Sequence, residues 1–289
     1  MPELPEIETI RRGLQGLILN KKIVQCCVLC EKSFRGESDS LQGREFVKID
    51  RKGKALLLRL DDGRTILGHM RMTGQMIYVD KDGRFAAGHP DGNFIAEMPS
   101  RHTRVYFEFE DGSHLYFNDL RKFGFLAIMS EKDLKNDKFL SELGPEPWDM
   151  REEDFYEMLN RHKNTSIKAV LLNQKLICGL GNIYVDEACF KSRVFPGRNA
   201  GTLTRAESDE LLVAARDVMT RAIESGGSTM KDYVKPDGSR GNYLDKFAQV
   251  FRRDGEACTH CGTNILKIRV AGRGTHFCPK CQPGYKETK

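Results

Sequence analysis

Four cysteines near the end of the chain constrain its fold more than any other feature. Cys258-Thr-His-Cys261 and Cys278-Pro-Lys-Cys281 form two CxxC pairs separated by sixteen residues. Each pair can direct two thiolates at one tetrahedral ion, and the spacer is long enough for a single β-hairpin. The pattern predicts a structural zinc site, because four sulfurs fill the coordination sphere and leave no position for a reactive water. His260 and His276 lie beside ligands, but the cysteines already complete the set. The 289-residue chain holds nine cysteines, an odd number, and Cys26, Cys27, Cys30, Cys178 and Cys189 sit in apolar surroundings where free thiols pack as small hydrophobes. That usage fits a reducing compartment and requires no disulfide scaffold.

The opening of the chain, Met1-Pro2-Glu3-Leu4-Pro5-Glu6, offers a second kind of chemistry. Removal of the initiator methionine, usual before a small second residue, leaves Pro2 with a free secondary amine beside a carboxylate. An α-amino group titrates at about pH 8, about two units below a lysine, so about a tenth of it is unprotonated at pH 7 without special burial. The same residues suit a helix start. Proline fits the first turn, glutamates favour its positive end, and Ile7, Ile10, Leu14, Leu17 and Ile18 follow at helical spacing. Taken alone, this stretch leaves a nucleophile and a plain helix start equally open.

Between residues 22 and 128 the chain reads as strands and turns. β-prone runs fall at 24–29, 46–49, 55–60, 65–67, 76–79, 104–109, 114–117 and 124–128, separated by turn signals such as Asp62-Gly63, Asp82-Gly83, Asp91-Gly92 and Asp111-Gly112. Short strands at this spacing predict a sandwich or a barrel. Residues 84–103 contain Gly88, Pro90, Gly92 and Pro99 without periodicity and read as a long surface loop. From about residue 151 the period becomes helical. Phe155, Met158 and Leu159 mark one helix, Ile167, Val170, Leu171 and Leu172 a second, and 183–190 a third. Thr204 followed by Glu207 is a capping box that opens a fourth, running to Gly226-Gly227.

The net charge of +5 is unevenly spread. Residues 231–289 hold twelve Lys and Arg against six Asp and Glu, whereas residues 131–160 hold four bases against ten acids. The positive field therefore surrounds the zinc segment and favours a polyanionic partner, while the acidic stretch suits a connector. No apolar run has the length of a signal peptide or a membrane span, which points to a cytoplasmic protein without a membrane partner.

A proline amine at the start combined with a zinc finger at the end resembles the formamidopyrimidine-DNA glycosylase family, whose enzymes excise oxidised purines. Eight short segments in family order carry the resemblance along the whole chain: PELPEIET at 2–9, RKGKALLL at 51–58, HMRMTG at 69–74, DLRKFG at 119–124, LGPEP at 143–147, GLGNIYVDE at 179–187, SGGSTMKDY at 225–233 and the zinc segment. The resemblance implies an α+β multidomain fold. Its N-terminal helix plus antiparallel β-sandwich would form a catalytic domain over 1–130, followed by a linker over 131–150. A helix-two-turns-helix DNA-binding domain would occupy 151–243 and a zinc-finger β-hairpin 244–289. One structural Zn2+, a monomeric state and double-stranded DNA containing oxidised purines are implied with it.

A base inside a duplex is out of reach of a protein amine, so such an enzyme must flip the nucleotide out and fill the gap. By resemblance, Pro2 attacks the anomeric carbon of the sugar, displaces the damaged base and leaves a Schiff base. Glu3 matches the acid that protonates the opened sugar, and Glu6 a further site carboxylate, although a first-turn helix charge explains Glu6 equally well. Lys54, at the mouth of the strand beginning at Ala55, matches the β-elimination lysine, while Arg51 and Lys52 read as solvated or phosphate-facing. Arg273, flanked by glycines at the expected hairpin tip, matches the zinc-finger arginine associated with phosphate contact and the final elimination.

Met72, Arg121 and Phe123 match the residues that enter the duplex: a flexible apolar wedge, a forked donor for the orphaned base and a ring able to stack. Without the family, Met72 and Phe123 read as core residues. Lys122, His102, Lys163 and Lys168 align with DNA-contacting positions, and Asn182, after the Gly179-Leu-Gly181 turn, with a phosphate contact. The 226–242 loop covers the flipped base in the family. Two other functions fit parts of the sequence: an endonuclease VIII-type enzyme for oxidised pyrimidines, and a catalytically silent, zinc-dependent DNA-binding protein. PELPE with Met72, Arg121 and Phe123 favours the purine-excising branch. The joint presence of Pro2, Glu3, Lys54 and Arg273 argues against a silent one.

Overall fold

The computed structural model describes residues 2–88, 98–227 and 243–285. They form two compact units. One runs from Pro2 to Ser141 and takes in Ile223 to Gly227; the other comprises Glu142–Ala222 and the described residues from 243 onward.

The first unit begins with α1 (Leu4–Ile18), whose apolar residues Ile7, Ile10, Leu14 and Ile18 are all buried. Its two five-stranded sheets alternate along the sequence. One has the order β1 (Ile23–Val28), β8 (Thr103–Phe109), β9 (His114–Asp119), β6 (Gly74–Val79), β7 (Arg84–Gly88). The other runs β2 (Phe34–Arg35), β10 (Phe125–Met129), β5 (Thr65–His69), β4 (Ala55–Leu60), β3 (Phe46–Lys52). All pairings are antiparallel except the two-residue parallel pair of β10 with β2. Leu58, Ile66 and Leu126 from one sheet and Met76, Phe107 and Phe117 from the other meet in a single apolar cluster with α1. Two open sheets that share one core make a sandwich, and the barrel alternative falls.

The strands at 24–29 through 124–128 appear within a residue or three of their expected bounds. Two were not legible. Phe34–Arg35 is too short to show a period, and Arg84–Gly88 corrects the expected 84–103 loop at its first end, where Tyr78 pairs with Phe85. Its alanines and glycine carry little β-propensity, so the ladder and the Phe85 ring define it instead. That ring occupies the place of a missing side chain on α1: a Cβ on Gly13 would fall 2.0 Å from it. At the other end of the expected loop, Thr103 already belongs to β8; residues 89–97 lie outside the described residues. The expected linker also carries structure, α2 (Glu131–Asn136), capped by Ser130, and α3 (Lys138–Ser141).

The second unit holds α4 (Glu152–Arg161), α5 (Ile167–Leu172), α6 (Asn182–Lys191), α7 (Arg205–Glu224, as far as Ala222), α8 (Tyr243–Phe247) and the hairpin of β11 (Leu266–Val270) and β12 (Arg273–Phe277). The expected capping box opens α7: Thr204 N–H donates to Glu207 at 2.7 Å and Glu207 N–H to the Thr204 hydroxyl at 3.2 Å. The helical and zinc segments share one interior. Phe190 of α6 packs with Val250, Ile265, Cys258 and Cys278. The buried Glu187 carboxylate accepts backbone N–H groups of Gln249, Val250 and Phe251 at 2.8, 3.0 and 2.8 Å. A zinc hairpin with so few apolar residues cannot bury a core alone, which is why it borrows α6. No helix among the described residues is long and apolar enough to cross a membrane.

Candidate active site and DNA interface

Glu3 is the N-cap of α1, and Glu6 reaches back to accept its N–H at 2.7 Å, the return half of a capping box. Pro2, Glu3 and Glu6 are all buried, so the proline nitrogen and its neighbouring acid sit in a fixed, largely dry setting rather than on a frayed terminus. Gly227 packs directly on this turn. With φ of +84° it adopts a conformation that favours glycine, and a Cβ there would lie 3.2 Å from the Glu6 carboxylate. The rest of the expected lesion-covering loop, residues 228–242, lies outside the described residues.

Lys54 occupies the second position of a two-residue hairpin, where Lys52 pairs with Ala55 and Gly53 has φ of +54°. It is buried, not solvated. Its charge reaches His69 on the neighbouring strand. Burial, then the positive charges of Arg71 and Lys54, hold the His69 imidazole down at about 3, so the ring is neutral and its Nδ1 accepts Arg71 N–H at 3.0 Å. The expected solvation holds for Lys52, which is exposed although its ammonium donates to the Leu140 carbonyl at 2.9 Å. It is corrected for Arg51, which is largely buried against α1.

Two turns of the same unit carry the three residues expected to enter a duplex. Residues 70–73 connect β5 to β6, and 120–124 connect β9 to β10; each crosses from one sheet to the other. Met72 is half-buried, whereas Phe123 is 54% exposed and carries the Arg121 guanidinium 4.7 Å from its ring centroid. A core role for Phe123 does not survive that exposure. Lys122 between them is exposed, with φ of +56°. His102 is buried beside this region, with Arg101 Nε 3.1 Å from its Nε2 and its carbonyl accepting Asp119 N–H at 2.9 Å.

In the second unit Asn182 is the first residue of α6, after Gly179 and the N-cap Gly181. Gln174, unnoticed in the sequence, shapes that turn: its amide donates to the Leu172 and Leu180 carbonyls and accepts Gly179 N–H, at 2.8–3.0 Å. Asn182 and Lys168 converge on the hairpin, donating to the Gly274 carbonyl at 3.1 and 3.0 Å. Lys168 is fully buried, paired at 2.6 Å with an equally buried Asp186, which also accepts His276 N–H at 2.9 Å. Its ammonium is thus committed inside the protein. Lys163 and Arg273 are exposed. Arg273 opens β12 just past a two-residue turn, Ala271-Gly272, in which both φ angles are positive.

The four cysteine sulfurs lie within 4.8 Å of one another, with Cys258 to Cys281 at 3.9 Å and Cys261 to Cys278 at 3.4 Å. Tetrahedral zinc–sulfur bonds of about 2.3 Å require sulfurs about 3.8 Å apart, so the site fits one zinc ion. Cys281 N–H also donates to the Cys278 sulfur at 3.4 Å, which suits a thiolate ligand.

Three family models match the chain in sequence order: the formamidopyrimidine-DNA glycosylase N-terminal domain over 1–126, the H2TH domain of the same enzymes over 143–234, and the zinc finger found in FPG and IleRS over 255–284. The chain belongs to the formamidopyrimidine-DNA glycosylase family. Its similarity to individual glycosylases is full-length. The formamidopyrimidine-DNA glycosylase of Pelotomaculum thermopropionicum is 38% identical over 98% of this chain and 99% of its own, and that of Listeria innocua 39% identical over 98% and 100%. Wild-type Lactococcus lactis Fpg bound to N7-benzyl-Fapy-dG DNA superimposes with a TM-score of 0.85 at 32% identity, covering 98% of this chain and 100% of that one. The same enzyme with abasic-site DNA gives 0.84. The fold is therefore the α+β glycosylase architecture with its zinc-finger hairpin.

Several residues that organise this glycosylase escaped the sequence reading. Asp186 and Glu187 stand as adjacent acids inside an otherwise apolar helix, a signal of buried pairing that GLGNIYVDE displays openly. Gln174 left no such mark.

Proposed function

We propose that the chain is a bifunctional DNA glycosylase and abasic-site lyase that removes 8-oxoguanine and formamidopyrimidines from duplex DNA, acting as a cytoplasmic monomer. The full-length family membership, together with Pro2 set against the buried Glu3, carries this reading. The freed Pro2 nitrogen attacks the anomeric carbon, the bond to the base breaks, and the base leaves with the electron pair and a proton. Glu3 supplies the proton to the opening sugar oxygen, leaving an iminium on Pro2. Loss of a proton from the adjacent sugar carbon, with Lys54 as the proton carrier, breaks the bond to the 3′ phosphate; Arg273 serves the second elimination, which releases the 5′ phosphate.

Met72, Arg121 and Phe123 fill the gap left by the flipped nucleotide. His102, Lys122, Lys163 and Asn182 hold the backbone, while Lys168 contributes by fixing the hairpin that bears Arg273. Zinc keeps that hairpin folded and takes no part in the bond changes. Glu6 supports Glu3 from within its own helix.

Borohydride reduction on a duplex carrying 8-oxoguanine tests the reading. Protein of confirmed Pro2 N-terminus should be trapped covalently, and protein retaining Met1 should not, because the ring nitrogen is then an amide. Absence of trapping on that duplex, with trapping on an oxidised pyrimidine, would replace the purine reading with the endonuclease VIII type.

A further inference from the structure

The two turns that carry Met72 and Arg121–Phe123 are joined by one buried carboxylate. Asp119 ends β9 opposite Gly74, so it lies where the chain leaves one sheet for the other, next to the return crossing. Its side chain is fully buried. One oxygen accepts the Thr73 hydroxyl and the Arg121 N–H, the latter at 3.1 Å; the other accepts Gly124 N–H at 2.6 Å. The Thr73 hydroxyl oxygen in turn accepts the same Arg121 N–H at 3.0 Å. Arg104 Nε donates to the Asp119 carbonyl at 2.7 Å, which fixes the backbone of the same residue. Gly124 must lack a side chain here, since a Cβ would lie 2.8 Å from the Phe117 ring and 3.1 Å from the carboxylate.

A carboxylate removed from water is costly, and a turn can be held without one. Here it lies where both crossings meet, with donors one residue from Met72 and on either side of Phe123. We infer that Asp119, linked through Thr73, is a positioning residue for base extrusion, holding the apolar wedge and the stacked arginine in one fixed relation before DNA arrives. Its side chain is enclosed and bonded to the two turns, so it acts through them and not on the substrate itself. Its effect is preorganisation, in which loop ordering is settled in the free enzyme rather than during entry into the duplex. The inference rests on the reading of Met72, Arg121 and Phe123 as gap-filling residues.

The test uses single-turnover rates on two duplexes, one with 8-oxoguanine and one with a preformed abasic site, where no paired base has to be extracted. Thr73→Val removes the hydroxyl at constant shape, so it severs the link between the turns while leaving Asp119 bonded to Arg121 and Gly124. Lesion excision should fall about tenfold, the equivalent of one lost hydrogen bond of about 1.4 kcal/mol, with abasic cleavage changed much less. Thr73→Ser should restore the ratio, and Asp119→Asn, which turns an amide NH2 towards a backbone N–H, should depress it further. Equal losses of Thr73→Val on both duplexes, or no loss on either, would overturn the clamp. Phe123→Ala is the control. If it lacks selectivity, the gap-filling reading falls and the clamp with it; if it is selective and Thr73→Val is not, the clamp alone falls.

Discussion

Arg51 Nε of β3 and Glu8 of α1 are 2.9 Å apart, which fastens the helix behind Pro2 to the strand leading into Lys54. The same carboxylate receives Arg11 and Arg12 at 2.7–2.9 Å. Burial pushes its pKa up, but the hydrogen bonds from Arg11 and Arg12 and the charge of Arg51 outweigh burial and hold it at about 2. A depressed carboxylate stabilises the fold above its ordinary pKa of 4.5, and that contribution is lost as pH falls towards 2. Glu8→Gln should lose about 1–2 kcal/mol near neutrality, allowing for solvent screening of the arginines, and should flatten the acid limb of stability. Denaturant melts between pH 2 and 7 read both effects.

His69 provides a second acid limb at higher pH. Its depressed pKa means that the unfolded chain binds the proton first, so stability is full above about pH 6.5 and declines as pH falls towards 3. The slope approaches about 1.4 kcal/mol per pH unit. His69→Asn keeps an acceptor near the Nδ1 position for Arg71 N–H and cannot titrate. Melts of this variant should lack the decline between pH 6 and 4; an unchanged profile would assign it to another group.

Salt dependence separates the lysines. Each phosphate contact adds about one unit to the slope of log affinity against log salt, so Lys163→Ala and Arg273→Ala should each reduce it by about one. Lys168→Met should leave the slope unchanged, because its ammonium faces Asp186 and Gly274. It should instead destabilise the second unit by about 3–5 kcal/mol, having left Asp186 buried without its partner. Binding isotherms at four salt concentrations decide the matter.

Zinc removal should reach beyond the finger. Phe190 of α6 packs in the same cluster as the cysteines, so chelation or Cys261→Ser should loosen α6 together with β11 and β12. DNA affinity should fall, and amide exchange should quicken at residues 183–190 as well as 266–277. A lesion duplex bound equally well by metal-free protein would refute this coupling.

The zinc ligands, most strands and the four principal helices were legible because each has a local rule: ligand spacing, period two or period 3.6, or a capping box. The short Phe34–Arg35 strand and the Gly-Ala edge strand obey no such rule; only their partners define them. Exposure of Phe123 likewise depends on the turn in which it stands, and an aromatic in an apolar neighbourhood reads as core until that turn is seen. Lys168 shows the reverse. A lysine reads as exposed by default, and only the distant Asp186 and Gly274 draw it inside.

Both crossings that bear Met72 and Phe123 are seams of the sandwich, and the Phe117 ring presses on one of them from within at Gly124. A methylene lost or gained in that interior would shift the seam without altering any residue that faces outward. In a lineage accumulating mild core substitutions, discrimination between damaged and normal bases should therefore decay before the enzyme stops folding, and the responsible changes would be sought in vain on its surface.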